Sequence, residues 1–265
     1  MPVAPSSPFG QALRQWRTTR HLSQLELAHR AATPPRHVSF LETGRARPSR
    51  DMVLRLAGAL DMPAAECNRL LTAAGFAPQF TDRPLSDGAM SSVRDVVARL
   101  LASHAPFPAL VLNAWYDVVD LNAPARTLFA ALGVDGADGA PNLVTLLLGA
   151  LRPTIVNWEE VLFNTRDRLR HEWRHRPGDA RLGAMLADVD ARCEGVPATS
   201  RTPSAESPVL LTGFRTPAGV LHTLSTLVQF SGARDLTVHG LHVELIYPAD
   251  AHADALLRAL SDVDV

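Results

Sequence analysis

Residues 22–44 read LSQLELAHRAATPPRHVSFLETG, and this stretch decides the fold of the first third of the chain. Ser23 stands where its hydroxyl can cap the open amides of a helix, and Glu26 three residues later completes a capping box. Leu25, Leu27 and Ala28 follow at helical spacing, and that helix should close near residues 31–32. Thr33-Pro34-Pro35 opens the next helix, with Thr33 as its expected cap and proline tolerated in the first turn. Val38 and Leu41 share one face of this second helix, and Gly44 ends it. Two short helices joined by a tight turn make a helix-turn-helix, in which the second helix enters the DNA major groove and its first turn reads bases.

Working outward, Phe9, Leu13 and Trp16 mark a preceding helix. Met52, Val53, Leu56 and Leu60 mark a fourth helix over about 49–60, and Leu70 and Leu71 a fifth over about 63–74, closed by Gly75. The spacing predicts an all-α, five-helix domain over residues 1–78. Its candidate base-reading positions are Pro35, Arg36, His37, Ser39 and Phe40. Arg36 suits bidentate contact with guanine, and His37 and Ser39 suit a base edge or a phosphate. Gln24 is a candidate for holding a phosphate, and Arg45 and Arg47 for the sugar-phosphate backbone. Charge agrees with this reading: residues 1–80 carry 10 Arg against 5 acidic residues, a balance of +5, while residues 81–265 balance at −6. A basic first third joined to an acidic remainder points to a polyanion for the first part alone.

Residues 79–90 lie in a stretch rich in proline, glycine and small polar residues and are read as a linker. Beyond it, residues 91–265 read as a helix over 91–104, strands at 108–113 and 117–122, and helical text from 123 to 193 with breaks near 133–141 and 177–178. A loop at 195–208, strands at 209–215, 220–230 and 236–247, and a helix over 251–260 complete the chain. That order predicts an α+β domain, an antiparallel sheet with helices packed against it.

The run His171-Glu-Trp-Arg-His175 matches the HExxH pattern in which two histidines bind zinc. Arg168, Arg170, Arg174 and Arg176 surround it with positive charge and Pro177 stops the helix, so it reads as a solvated basic helix end. Cys67 and Cys193 are too few for a disulfide framework or a closed structural zinc site. His242 and Glu244 share one strand face, which reads as an exposed edge. There is no glycine-rich phosphate loop, no GxSxG elbow and no convergent catalytic set, so neither an enzyme nor a cofactor is expected. No run of about 18–20 apolar residues is present for a membrane span, and the N-terminus lacks the marks of a secretory signal. A cytoplasmic, nucleoid-associated protein is expected.

Residues 22–60 resemble the helix-turn-helix of the Xre and Cro/C1 repressor family, through Ser23-Gln24, Leu27-Ala28, Val38-Ser39, Leu41-Glu42, Gly44, Pro48-Ser49 and Leu56-Ala57. The resemblance implies that Glu42 is structural and holds an arginine. Where that family often has Gly-Val-Ser, this chain has Ala32-Thr33-Pro34. The longer run from Pro35 to Pro78 is similar to the MmyB-like regulators, in which such a head precedes a ligand-binding domain of PAS-like architecture. Leu112-Asn113, Trp115, Leu121-Asn122, Asn142-Leu143 and Asn157-Trp158-Glu159 agree in order with that group, and beyond about residue 195 the resemblance thins.

The resemblance implies a regulator, expected to be a repressor, that binds double-stranded DNA at a pseudo-palindromic operator as a homodimer. It further implies a sensor pocket for a small apolar, fatty-acid-like ligand. Candidate pocket residues are Asn113, Phe129, Leu143, Leu147, Trp158, Leu162, Phe163, Arg166, Phe214, Leu224 and His239. The alternative is a C-terminal domain that binds a protein partner instead of a small molecule.

Overall fold

The computed structural model describes residues 7–134, 141–176, 178–196, 209–231, 233 and 235–262. The chain divides into two compact units, Met1–Asp82 with Arg234–Leu236, and Arg83–Ala233 with Thr237–Val265. Pro177 and most of the loop expected at 195–208 lie outside the described residues.

In the first unit the described residues form helices α1 (Pro8–Thr19), α2 (Gln24–Arg30), α3 (Pro35–Glu42), α4 (Arg50–Ala59) and α5 (Ala64–Ala73). The capping box at α2 is complete: Glu26 donates its amide to the Ser23 hydroxyl at 3.1 Å, and the Ser23 amide donates to the Glu26 carboxylate at 2.7 Å. The entry to α3 differs from expectation. Its N-cap is Pro34, with no side-chain cap, so Thr33 does not play that part. Ala32, in the turn, takes a left-handed conformation at φ 47° that favours glycine. Leu13, Leu27, Val38, Leu41, Val53, Leu56 and Leu71 are fully buried where the helices meet.

Two features fix α3 against α1. A Cβ at Gly10 would lie 2.6 Å from the carbonyl oxygens of both Leu41 and Glu42, so the helices touch through backbone. The Glu42 side chain, 3% exposed, accepts from Arg17 Nε at 2.6 Å and Nη2 at 3.0 Å, and from Gln24 Nε2 at 2.8 Å. Arg17 Nη1 also donates to the Leu22 carbonyl at 2.8 Å. The hydrogen bond it donates to Glu42 raises the Arg17 guanidinium above its ordinary range.

The second unit holds a five-stranded antiparallel sheet: β1 (Ala109–Leu112), β2 (Val118–Leu121), β3 (Thr212–Thr216), β4 (Gly219–Gln229) and β5 (His242–Pro248), in the order β2-β1-β5-β4-β3. Its α-helices among the described residues are α6 (Ser91–Ser103), α7 (Ala123–Ala131), α8 (Leu143–Leu148), α9 (Trp158–His175), α10 (Ala180–Glu194), α11 (Leu236–His239, in this unit from Thr237 on) and α12 (Ala251–Ser261). The expected strand over 236–247 is therefore a short helix followed by a strand. Both faces of the sheet carry helices. Val97 and Leu101 of α6 pack on Ala109, Val111 and Val243. Leu110, Leu112 and Leu221 on the opposite face join the larger core with α7, α8, α9, α10 and α12.

Three asparagines, Asn122 buried and Asn142 and Asn157 half-buried, close element ends in this unit. Asn122 caps α7, accepts from the Ala109 amide at 2.9 Å, and donates to the carbonyls of Leu101 and Phe107. Asn142 caps α8 and donates to the Trp115 carbonyl at 2.6 Å. Asn157 joins α9 to β3, donating to the Leu211 carbonyl at 2.7 Å and accepting from the Gly213 amide at 3.0 Å. Each satisfies backbone groups that would otherwise be left unpaired at an element end.

Two substitutions test the helix-turn-helix packing by urea unfolding of the N-terminal unit. Gly10→Ala should cost roughly 1–3 kcal/mol, since only backbone can yield to the new methyl group. Glu42→Ala should cost roughly 3–5 kcal/mol, because it leaves the Arg17 charge buried without its partner.

Candidate DNA-contact surface and ligand-binding core

The exposed face of α3 is built by the same alternation that buries Val38 and Leu41. Pro35 and Arg36 are exposed, and His37, Ser39 and Phe40 are half-buried beside them. The Arg36 guanidinium lies 5.1 Å from the centre of the Phe40 ring, a cation–π contact that holds the long side chain against its own helix. Arg45 and Arg47 are exposed in the loop after Gly44, whose φ of 74° suits glycine at a helix C-terminus. Gln24 departs from its expected role, because its carboxamide is turned inward onto Glu42.

The eleven expected pocket residues of the second unit fall into distinct sets. Phe129, Leu147, Trp158, Leu162 and Phe163 belong to the large core, with Leu143 and Phe214 packed against it. Trp158 donates its indole N–H to the Leu147 carbonyl at 3.3 Å and lies under Arg152 at 4.4 Å. Asn113 holds the β1–β2 turn with both ends of its amide, accepting from the amides of Trp115 and Asp117 and donating to the Asp117 carboxylate. Arg166 is paired with Asp167 at 2.9 Å and stacked on Phe163. Leu224 faces the wrong way: it pairs with Tyr247, while Phe214 pairs with Leu221 on the opposite face of the sheet. His239 sits exposed on α11 rather than on a strand.

A polar group that the sequence reading did not assemble lies where α9 meets the β1–β2 turn. Tyr116 holds a left-handed φ of 64°, unusual for a bulky residue, and its hydroxyl donates to Glu172. Burial pushes the Tyr116 phenol well above its ordinary range, so it remains a donor. Glu172 also accepts from Arg176 at 2.7 Å, and so it is half-buried and paired rather than solvated. His175 Nδ1 hydrogen-bonds to the His171 carbonyl at 2.8 Å. Among the described residues no group of three or more His, Cys, Asp or Glu is placed to hold a metal ion. The indole of Trp115 donates to Asp179, which also caps α10. Burial would push the Asp117 carboxyl up, but hydrogen bonds from Arg181, Asn142 and Asn113 outweigh it and hold the group below the ordinary carboxylate range.

The pair His242 and Glu244 was expected at an exposed edge, and β5 is instead the central strand, with both side chains half-buried. Burial, aided by Arg168, Arg176 and His239, holds the His242 imidazole below its ordinary range against the opposing pull of Glu172. The only sequence signal for this site was the period-2 spacing of two polar residues in an apolar strand.

Comparison with known proteins bears on both units of the chain. Residues 8–70 match the family described as a helix-turn-helix domain. The restriction-modification controller protein C.AhdI from Aeromonas hydrophila, known from a crystal structure, is 38% identical over 23% of this chain and 92% of its own, with a TM-score of 0.22. No curated protein matches the chain. Residues 93–260 match the MmyB-like transcription regulator ligand binding domain, and with more than half of its length in that match the chain belongs to the MmyB-like transcription regulators, DNA-binding helix-turn-helix proteins with a ligand-binding domain.

Proposed function

We propose that this regulator is a repressor that binds a pseudo-palindromic operator as a homodimer, and that a small apolar, fatty-acid-like ligand in its C-terminal domain controls that binding. The observation that carries the DNA-reading part is the exposed first turn of α3, where Arg36 stands free of any carboxylate among the described residues and rests on Phe40. Pro35, His37 and Ser39 flank it as further base or phosphate contacts, with Arg45 and Arg47 on the backbone. Gln24 contributes by bracing Glu42, and its backbone start of α2 remains the candidate phosphate contact. A single helix-turn-helix binds weakly, so a two-fold dimer with half-sites about one turn apart supplies specificity.

The antiparallel sheet with helices supports a PAS-like architecture for the sensor. Its inner face, lined by the apolar core around Phe163, Trp158 and Phe214, supports an apolar ligand. The domain acts by binding rather than catalysis, in a cytoplasmic protein that associates with the nucleoid. Ligand binding would shift the order or spacing of the two heads, which requires different affinity for the two states.

Arg36→Ala should weaken specific DNA binding by roughly 1–3 kcal/mol and relax the preference at one base pair, read by titrating operator variants at fixed salt. An unchanged preference would move Arg36 to the phosphate contacts. Saturating dodecanoate should raise the melting temperature of the full chain, since tight binding to the folded state must stabilise it. No shift with any fatty acid would favour a protein partner.

A further inference from the structure

Across the sheet, Glu244 lies between Leu110 of β1 and Leu227 of β4, on the face that bears the large core. Leu110 is buried there, yet Leu227 is 44% exposed, so on this face the apolar cover does not extend over Leu227. Two charged side chains of this unit each leave one buried polar atom without a hydrogen-bond partner. The Glu244 Oε2 atom is buried and accepts no hydrogen bond, and Glu244 forms no ion pair among the described residues. The Arg168 Nε atom is likewise buried and donates none. Arg168 rests on the Tyr116 ring at 4.7 Å. The carboxylate one turn further along α9, Glu172, is already held by Tyr116 and Arg176.

The two orphans belong to one neighbourhood. Arg168 rests on Tyr116 in the β1–β2 turn, Leu112 at the end of β1 that enters this turn pairs with His242, and Glu244 follows His242 by two residues on the same strand face. Tyr116, beneath Arg168, carries the strained backbone that marks sites held in place by their surroundings. A buried polar atom without a partner is costly, and each of the two states what would satisfy it. Arg168 Nε lacks an acceptor and Glu244 Oε2 lacks a donor. A plain fatty acid in its ionised form supplies only the first.

Resting on the ligand-sensing reading above, we propose that Arg168 and Glu244 together bind the head of an amphiphile that carries a hydrogen-bond donor beside its carboxylate, a hydroxylated carboxylic acid. The carboxylate lies against Arg168, the hydroxyl donates to Glu244, and the apolar body covers Leu227. This assigns the head-group site to Arg168 and Glu244 rather than to Arg166 and His239.

The test is calorimetric titration of the full chain with dodecanoate and with 3-hydroxydodecanoate. The hydroxylated acid should bind roughly ten-fold or more tightly, the range of one hydrogen bond to a charged group. Glu244→Met should abolish that preference while retaining dodecanoate binding, and Arg168→Met should weaken both acids, each variant melting cooperatively. Equal affinity for the two acids in the unaltered protein would overturn this inference alone and leave ligand sensing standing. Binding of neither acid would overturn both. A Glu244→Met protein that still prefers the hydroxylated acid would remove Glu244 from the site.

Discussion

Glu42 carries a carboxylate almost wholly removed from water, and it is tolerable there because Arg17 meets it with two donors and Gln24 with a third. These partners come from different helices, and Arg17 extends the tie to the Leu22 carbonyl, so one acidic group locks α1, the start of α2 and the end of α3 together. Gly10 completes the arrangement by letting α1 reach the terminal carbonyls of α3. The outer face of α3 is therefore set from behind. A base-reading side chain works only if its helix is held to within a fraction of an ångström, and rigid backing of this kind supplies that precision.

The second unit solves a different problem, that of a sheet covered on both faces. Strict alternation sends Val111 and Val243 toward α6 and Leu110, His242 and Glu244 toward the larger core. A polar residue on a central strand cannot turn away to solvent as one on an edge can. The chain answers this at His242 with Gln229, whose amide meets the ring at 2.8 Å, and leaves the Oε2 atom of Glu244 without a partner.

What the sequence reveals depends on how local the determining interaction is. The capping box at Ser23 and Glu26, the inward pair Val38 and Leu41, and the Gly44 terminus are set within a few residues, and all are found where the pattern puts them. The missing cap at Thr33 shows the limit even there, because proline at 34 already presets the helix entry without a side-chain bond. Sheet order is not local at all. Nothing near His242 announces that β1 and β4 will flank it, so an interior position reads as an edge. Leu224 was misplaced by a single step of parity, which reverses the face of a strand residue completely. The HEWRH run lacked any sign of Tyr116, whose hydroxyl reaches Glu172 from a distant hairpin.

The strand order β2-β1-β5-β4-β3 has a consequence for how the chain matures. Helices α1–α5 lie within residues 8–73 and pack on near neighbours in sequence, so this head can close soon after it leaves the ribosome. β1, made at residues 109–112, must wait for β5 at residues 242–248 before its inner edge is paired. Through most of synthesis a finished helix-turn-helix therefore precedes a sheet that lacks its middle strand. Premature termination anywhere in that interval yields a head without a complete ligand-binding domain, together with an open strand edge of the kind that invites aggregation.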